Sequence, residues 1–71
     1  MQRKIKIRTE YITLGQFLKY VNVIGSGAEA KIYLQENMAS VNGEPENRRG
    51  RKLYAGYIVI VDGEEYLIQG E

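Results

Sequence analysis

A chain of 71 residues with 44% apolar residues predicts one small globular domain, spanning residues 1–71, with a modest hydrophobic core. The sequence contains no Cys and no His, so disulfides, thiol nucleophiles, the commonest general base and the usual zinc ligands are excluded. We therefore expect no enzymatic activity, no cofactor and no metal site. No apolar run approaches the roughly 20 residues that cross a membrane, which predicts a cytoplasmic protein without a membrane partner.

The charged residues are segregated along the chain. Ten basic and nine acidic residues give a net charge of only +1, but eight of the ten cations fall within residues 3–8 and 48–52. Residues 62–71 contain four acidic residues and no basic residue. This distribution predicts a surface with one strongly positive face, which the net charge alone would hide.

The first predicted element is a strand. Residues 4–8 read Lys-Ile-Lys-Ile-Arg, so Ile5 and Ile7 point to one side and the cations to the other. The cations would protect a sheet edge from aggregation or contact a nucleic acid, and the structural use is favoured.

A short helix follows this strand. Thr13 and Gln16 have the spacing of a capping box, which predicts a helix from Leu14 to about Asn22. Lys19 lies opposite the apolar stripe of this helix, in solvent or on a ligand. The stripe itself consists of Leu14, Phe17, Leu18 and Val21.

A second helix is predicted almost immediately. Ser26 and Glu29 form another capping-box pattern, and the helix should continue to about Glu36, with Asn37 as its stop. Its inner stripe contains Ala30, Tyr33 and Leu34. Lys31 lies off that stripe and should be exposed.

The remainder of the chain predicts strands and turns. Residues 39–41 favour a short strand that ends in the turn dipeptide Asn42-Gly43, whose residues tolerate positive φ. Residues 57–61 and 65–68 favour a hairpin around Asp62-Gly63. The predicted fold is therefore α+β, with two short packed helices against a small antiparallel sheet to which the N-terminal strand is added.

The predicted core joins the two helical stripes to the strand at residues 57–61. Because side chains alternate along a strand, either Ile58 and Ile60 or their neighbours Val59 and Val61 face the helices.

The densest charge cluster lies between the predicted strands. Arg48, Arg49, Arg51 and Lys52, interrupted by Gly50, place four cations within five residues, and we call residues 48–52 the basic loop. Like charges at this density repel one another, but they favour a polyanion, and arginine matches the geometry of phosphate and base edges. A solvated surface loop is the alternative interpretation.

Residues 13–61 resemble the RNA-binding domain named after ribosomal protein S-four. The resemblance rests on the two short helices, the second opening at Ser26, on Val-Asn-Gly at residues 41–43 and on Gly56 before a strand. Residues 13–19 and 47–53 are similar to the small stand-alone bacterial members called YaaA. The resemblance implies the fold called the alpha-L motif, in which a helical pair and an adjoining loop bind structured RNA, often ribosomal or transfer RNA.

The helices depart from the family pattern at three positions. Many family members have Arg where this chain has Thr13, Asp where it has Gly15, and Arg where it has Gly27. Two cations are therefore missing from the helical face, and the basic loop would supply the charge that the helices lack. Lys31 fits the pattern, because a cation commonly follows the alanine that corresponds to Ala30.

Two classes of function follow from these patterns. In the first, the chain is a monomeric RNA-binding module for structured RNA, such as ribosomal RNA, with no small-molecule substrate; Tyr54 is a candidate for base stacking. The candidate RNA contacts are Lys19, Lys31, Asn42, Arg48, Arg49, Arg51 and Lys52. In the second, the chain is an adaptor whose basic loop docks an acidic protein. DNA binding is a weaker third class, because no helix carries several polar base-reading residues.

Overall fold

A computed structural model describes residues 2–70 and confirms the α+β class. No helix in this range has the length and apolarity needed to span a membrane. The described elements are β1 (Gln2–Ile7), β2 (Tyr11–Thr13), α1 (Leu14–Tyr20), α2 (Gly27–Glu36), β3 (Ala39–Val41), β4 (Glu44–Glu46), β5 (Lys52–Tyr54), β6 (Ile58–Val61) and β7 (Glu64–Gly70).

The strands form two sheets. Five of them assemble in the order β1-β7-β6-β3-β4, and β2 pairs with β5 in a separate antiparallel sheet. The N-terminal strand joins the main sheet as predicted, but it lies parallel to β7, with Ile5 opposite Ile68. The main sheet is therefore mainly antiparallel, as predicted, with one parallel pair at the edge where the N-terminal strand is added. Parallel neighbours need a long connection, and here most of the domain connects β1 to β7.

Two tight turns organise the main sheet. Asn42 and Gly43 have φ angles of 52° and 86°, and Asp62 and Gly63 have φ angles of 51° and 75°. Positive φ at both central residues is the geometry of the two-residue hairpin turn that fits the twist of paired strands. The first turn leads into β4, a strand that the sequence did not predict. Pro45 is tolerated there because β4 is an edge strand that pairs only with β3.

The capping box of α1 is confirmed. The Thr13 hydroxyl accepts a hydrogen bond from the Gln16 backbone N–H (3.2 Å), and the Gln16 side-chain oxygen accepts one from the Thr13 N–H (2.9 Å). The helix ends at Tyr20, two residues earlier than predicted. Asn22 has a φ angle of 65°, and a residue in this left-handed conformation ends a helix.

The second capping box is wrong. Ser26 is the N-cap of α2, but its side chain makes no capping hydrogen bond. Instead, the Glu29 carboxylate reaches past Ser26 and accepts a hydrogen bond from the Gly25 N–H (3.3 Å). The predicted end is correct, since the backbone N–H of Asn37 donates to the Tyr33 carbonyl (2.7 Å) as the helix terminates.

The hydrophobic core lies between the helices and one face of the main sheet. The Phe17 ring is fully buried and meets the Tyr66 ring edge-to-face at 5.1 Å. Of the two possible strand faces, the structure buries Val59 and Val61 and leaves Ile60 38% exposed. The other buried hydrophobic residues are Ile7, Leu14, Leu18, Ile24, Ala30, Leu34, Ala39, Val41, Leu53 and Ile68. Val21 and Tyr33 pack against the core while remaining half-buried.

Candidate RNA interface

The basic loop is fixed to the first turn of α1 by backbone hydrogen bonds. The Leu14 N–H donates to the Arg51 carbonyl and the Gly15 N–H donates to the Arg49 carbonyl, both at 2.8 Å. These N–H groups belong to the first helical turn, where no intrahelical acceptor exists. The loop carbonyls therefore supply the acceptors that these helical N–H groups lack, and these backbone hydrogen bonds hold the loop against α1. Lys52 is the first residue of β5, so the irregular segment ends one residue earlier than predicted.

Gly15 allows the loop to approach α1 closely. A Cβ atom at this position would lie 3.3 Å from the Arg49 carbonyl oxygen and 3.4 Å from the Arg49 Cβ atom. The first distance is tighter than ordinary van der Waals contact, so a larger residue would press on the loop. The small residue Gly15 therefore accompanies a basic loop packed directly on the helix.

A single carboxylate organises two of the loop arginines. Glu46, at the end of β4, has a side chain only 8% exposed. Its two oxygens accept hydrogen bonds from Arg48 Nε (2.9 Å) and Arg48 Nη2 (3.1 Å), a bidentate pair. The Arg48 backbone N–H (3.2 Å) and Arg51 Nη1 (3.0 Å) donate to the same carboxylate. The hydrogen bonds from Arg48 are the main cause that lowers the pKa of Glu46 to about 2.

The loop cations are not equivalent. The predicted mutual repulsion is relieved because Glu46 lies between Arg48 and Arg51, and the cluster of four cations and one carboxylate keeps a net charge of +3. The Arg48 side chain is 73% exposed and that of Arg51 is 31% exposed. Arg49 is also exposed, and its side chain makes no hydrogen bond or ion pair within residues 2–70.

Three tyrosine rings lie in a row beside the loop. The rings of Tyr11 and Tyr54 have centroids 5.7 Å apart, and those of Tyr54 and Tyr57 are also 5.7 Å apart. Lys52 Nζ lies 4.9 Å from the centroid of the Tyr11 ring, and Arg51 Cζ lies 6.0 Å from that of Tyr57. We call Tyr11, Tyr54 and Tyr57 the tyrosine row. It is flanked by one cation at each end.

An open groove of about 490 Å³ lies between the basic loop and two rings of the tyrosine row, those of Tyr54 and Tyr57, whereas Tyr11 is outside its lining. Its lining residues are Arg48, Gly50, Arg51, Lys52, Tyr54 and Tyr57. The groove therefore combines guanidinium and ammonium groups with aromatic faces, a chemistry that suits a polyanion with flat rings. Within residues 2–70, no group of three His, Cys, Asp or Glu side chains is placed to hold a metal ion.

The predicted helical cations lie outside this groove. Lys19 is in the last turn of α1 and Lys31 is in α2, and both are exposed. Neither lysine makes an ion pair or a side-chain hydrogen bond within residues 2–70. They remain available to a ligand on the helical pair.

Asn42, a predicted RNA contact, has a structural role in the β3–β4 turn. Its side-chain oxygen accepts a hydrogen bond from the Ile58 N–H (2.9 Å), and its own N–H donates to the Ile58 carbonyl (2.7 Å). The residue thus ties the β3–β4 turn to the start of β6. It lies at the opposite end of β4 from Glu46, away from the groove.

Sequence reasoning missed three residues of this surface. Glu46 precedes Arg48 by two positions, and that proximity was the only local indication of their pairing. Tyr11 and Tyr57 were not singled out, because their partner Tyr54 meets them only when β2 pairs with β5 and the chain turns at Gly56. In residues 11–13, Ile12 alternates with Tyr11 and Thr13. This alternation could have predicted that Tyr11 lies on the strand face away from the core.

Comparison with known proteins agrees with this architecture. Residues 5–69 match the S4 domain family. The chain is also 57% identical over 63 residues to a protein of Bacillus subtilis (strain 168) described as "Probable ribosome maturation protein RlbA", and the match covers 89% of each chain. The match to the S4 domain supports RNA binding as the class of function. The chain belongs to the S4 domain family.

Proposed function

We propose that this chain is a monomeric, non-enzymatic RNA-binding module that recognises structured RNA, with ribosomal RNA as the favoured target. The observation that carries the proposal is the anchoring of the basic loop to α1. Because the Arg49 and Arg51 carbonyls accept hydrogen bonds from the first turn of α1, the loop is held against the helix that carries Lys19. The proposed contacts are Lys19, Lys31, Asn42, Arg48, Arg49, Arg51 and Lys52.

The chemistry of the loop fits phosphate recognition. Glu46 uses the Nε and Nη2 groups of Arg48, and the remaining N–H groups of this largely exposed guanidinium are available to a phosphate. The deep major groove of A-form RNA hides base edges, so phosphate and shape contacts should dominate over base reading. A fixed array of cations suits this mode because little side-chain ordering is left to the binding step.

The name of the Bacillus subtilis relative supports a ribosomal target. That protein is described as a probable ribosome maturation protein, and the present chain is 57% identical to it over 63 residues. We therefore favour a cytoplasmic role in ribosome maturation, in which the module contacts ribosomal RNA.

The decisive variant replaces Arg48, Arg49, Arg51 and Lys52 together with alanine. Binding of the parent to a blunt RNA hairpin should weaken linearly on a log–log salt plot, with a slope of roughly −0.7 to −0.9 for each phosphate contact. The quadruple variant should lose most of its affinity and slope while staying folded. If it keeps both, the loop is a solvated surface and the proposal fails.

A matched pair of double variants tests the helical lysines. Lys19→Ala with Lys31→Ala should reduce the slope, whereas Lys4→Ala with Lys6→Ala removes the same charge from exposed positions of β1 and should change it less. Crosslinking of the chain in cells then distinguishes RNA from protein as the partner. Recovery of RNA is expected, and recovery of protein alone would favour an adaptor that docks an acidic partner. Light scattering of the free chain tests the monomeric state.

A further inference from the structure

We propose that the tyrosine row, with Lys52 and Arg51 at its ends, is a stacking site for unpaired nucleotides of the bound RNA. This inference rests on the proposed function and adds to it the kind of RNA that is recognised. The target would contain an unpaired segment next to its base-paired part. The base-paired part would contact the helical pair and the basic loop, and the unpaired segment would occupy the groove.

The fold places two rings of the row, those of Tyr11 and Tyr54, on the outer face of the small sheet. Tyr11 pairs with Tyr54 across β2 and β5, and the next pair, Ile12 with Leu53, points to the other face. Leu53 is fully buried and Ile12 packs against the core, so Tyr11 and Tyr54 lie on the face turned away from the core. Tyr57 follows β5 and packs partly against the core. All three tyrosines are half-buried rather than enclosed.

A turn adds the third ring to the row. The Tyr57 N–H donates to the Tyr54 carbonyl (3.1 Å), and Gly56 adopts a φ angle of 93° within this turn. The Gly56 N–H donates to the Ile68 carbonyl (2.7 Å), which ties the turn to β7. The backbone of the turn that carries Tyr57 is therefore held in place by hydrogen bonds to β5 and β7.

The flanking charges favour a nucleic acid over an uncharged aromatic ligand. Lys52 and Arg51 lie over the rings at opposite ends of the row, and Arg48 lines the same groove. A strand whose bases stack on the tyrosines would carry its phosphates past these cations. Proteins that hold single strands combine a cationic groove with stacking aromatic side chains in this way. Bases inside a duplex are already stacked on each other, so the ligand must be unpaired.

Cross-strand aromatic pairs also stabilise sheets, and the Tyr11–Tyr54 pair does so here. Packing alone does not account for a groove lined by Tyr54, Tyr57 and three cations. Gly50 lines the same groove, and a Cβ atom built on it would meet nothing within 4 Å. The backbone at Gly50 is thus open to a ligand. An acidic peptide would satisfy the cations but would leave the ring faces unused.

The test compares two RNA probes that differ only in an unpaired segment. One is a blunt RNA hairpin and the other is the same hairpin with a single-stranded oligoadenosine extension. The test variant is Tyr54→Leu with Tyr57→Leu, and the matched variant is Tyr54→Phe with Tyr57→Phe, which keeps both rings. Tyr20→Leu is the control, because Tyr20 is 65% exposed on α1 and lies outside the row. Thermal melting verifies that each variant is folded.

The parent should bind the extended hairpin more tightly than the blunt one. The Leu variant should lose roughly 5- to 150-fold in affinity for the extended hairpin for each base that stacks, and less than about 2-fold for the blunt hairpin. The Phe variant and Tyr20→Leu should bind like the parent. An unchanged affinity of the folded Leu variant for the extended probe, or an equal loss for both probes, would overturn the stacking site. So would a polyglutamate peptide that displaces the extension from the parent as effectively as free oligoadenosine.

A crosslinking measurement covers the case in which the Leu variant does not fold. The parent is irradiated with the hairpin whose extension carries a photoreactive thiouridine, and the modified peptides are identified by mass spectrometry. Adducts on Tyr11, Tyr54 or Tyr57 are expected, and adducts restricted to α1 and α2 would reject the inference. A parent that binds neither hairpin would refute the proposed function itself, whereas equal affinity for both probes refutes only the stacking site.

Discussion

Arg48 and Glu46 form a bidentate ion pair in which the carboxylate is buried and the guanidinium is largely exposed. The two hydrogen bonds measure 2.9 and 3.1 Å, while the side chains are 8% and 73% exposed, respectively. The buried Glu46 carboxylate thus orients the Arg48 guanidinium toward solvent. Glu46 also holds Arg51 at 3.0 Å, so one carboxylate sets the spacing of two arginines in the groove.

The ion pair between Glu46 and Arg48 predicts a specific dependence of stability on pH. The pKa of Glu46 is lowered from 4.5 to about 2 in the folded chain, mainly by hydrogen bonds from Arg48. Because the folded pKa lies below the unfolded one, the stabilisation is complete above pH 4.5 and is lost as the pH falls toward 2. The melting temperature of the parent should exceed that of Glu46→Gln by several degrees at pH 6, as measured by circular dichroism.

The difference between these two proteins should close as the solution is acidified. A protonated glutamic acid and a glutamine are nearly isosteric, so the two melting curves should converge near pH 2. The other carboxylates are common to both proteins and cancel in the comparison. A constant difference between pH 6 and pH 2 would show that the charge of Glu46 is not what stabilises the fold.

The arginines should differ in their effect on RNA binding. Arg49→Ala removes one cation that has no partner within residues 2–70, so the salt slope should fall by about one without further consequence. Arg48→Ala removes a cation and also exposes the Glu46 carboxylate to the phosphates. We expect a larger loss of affinity for Arg48→Ala, partly recovered by adding Glu46→Gln, in titrations of an RNA hairpin at several salt concentrations. Equal losses in the two single variants would contradict this order.

Two substitutions of Asn42 should distinguish its role in the turn from a role in RNA binding. Asn42→Ala removes the acceptor for the Ile58 N–H and places alanine at a φ angle of 52°, which should cost about 1–2 kcal/mol in urea unfolding. Asn42→Asp keeps the acceptor, and Asp62 already occupies the equivalent place in the other hairpin at a φ angle of 51°. The Asp variant should therefore be nearly as stable as the parent but bind RNA more weakly. Full affinity in this variant would assign Asn42 to the turn alone.

Two glycines of the same region should respond in opposite ways to valine. Gly50 has no positive φ angle and faces open space in the groove, so Gly50→Val should leave the melting temperature nearly unchanged and weaken RNA binding. Gly56 has a φ angle of 93°, which a β-branched residue adopts only with strain, so Gly56→Val should lower the melting temperature. A Gly50→Val variant that unfolds early but binds normally when folded would reverse this assignment.

Local patterns in the sequence determined much of the fold. The capping box at Thr13, the hairpin dipeptides Asn42-Gly43 and Asp62-Gly63 and the stop at Asn37 depend on neighbours within a few residues, and all four are confirmed. The prediction fails at Ser26, whose side chain makes no capping hydrogen bond, and the Glu29 carboxylate accepts a hydrogen bond from the Gly25 N–H instead. Family resemblance added the alpha-L arrangement of the helices, which the S4 domain match supports.

The tertiary structure decided how the charges and rings are arranged. The sequence placed four cations in the basic loop, and the folded path of residues 46–51 places the Glu46 carboxylate between Arg48 and Arg51. Alternation allowed either face of β6 to be buried, and the helices selected Val59 and Val61. Tyr11 and Tyr54 are distant in the chain, and their contact depends on long-range strand pairing. Such pairing is fixed by the burial of the whole core, and no short stretch of sequence encodes it.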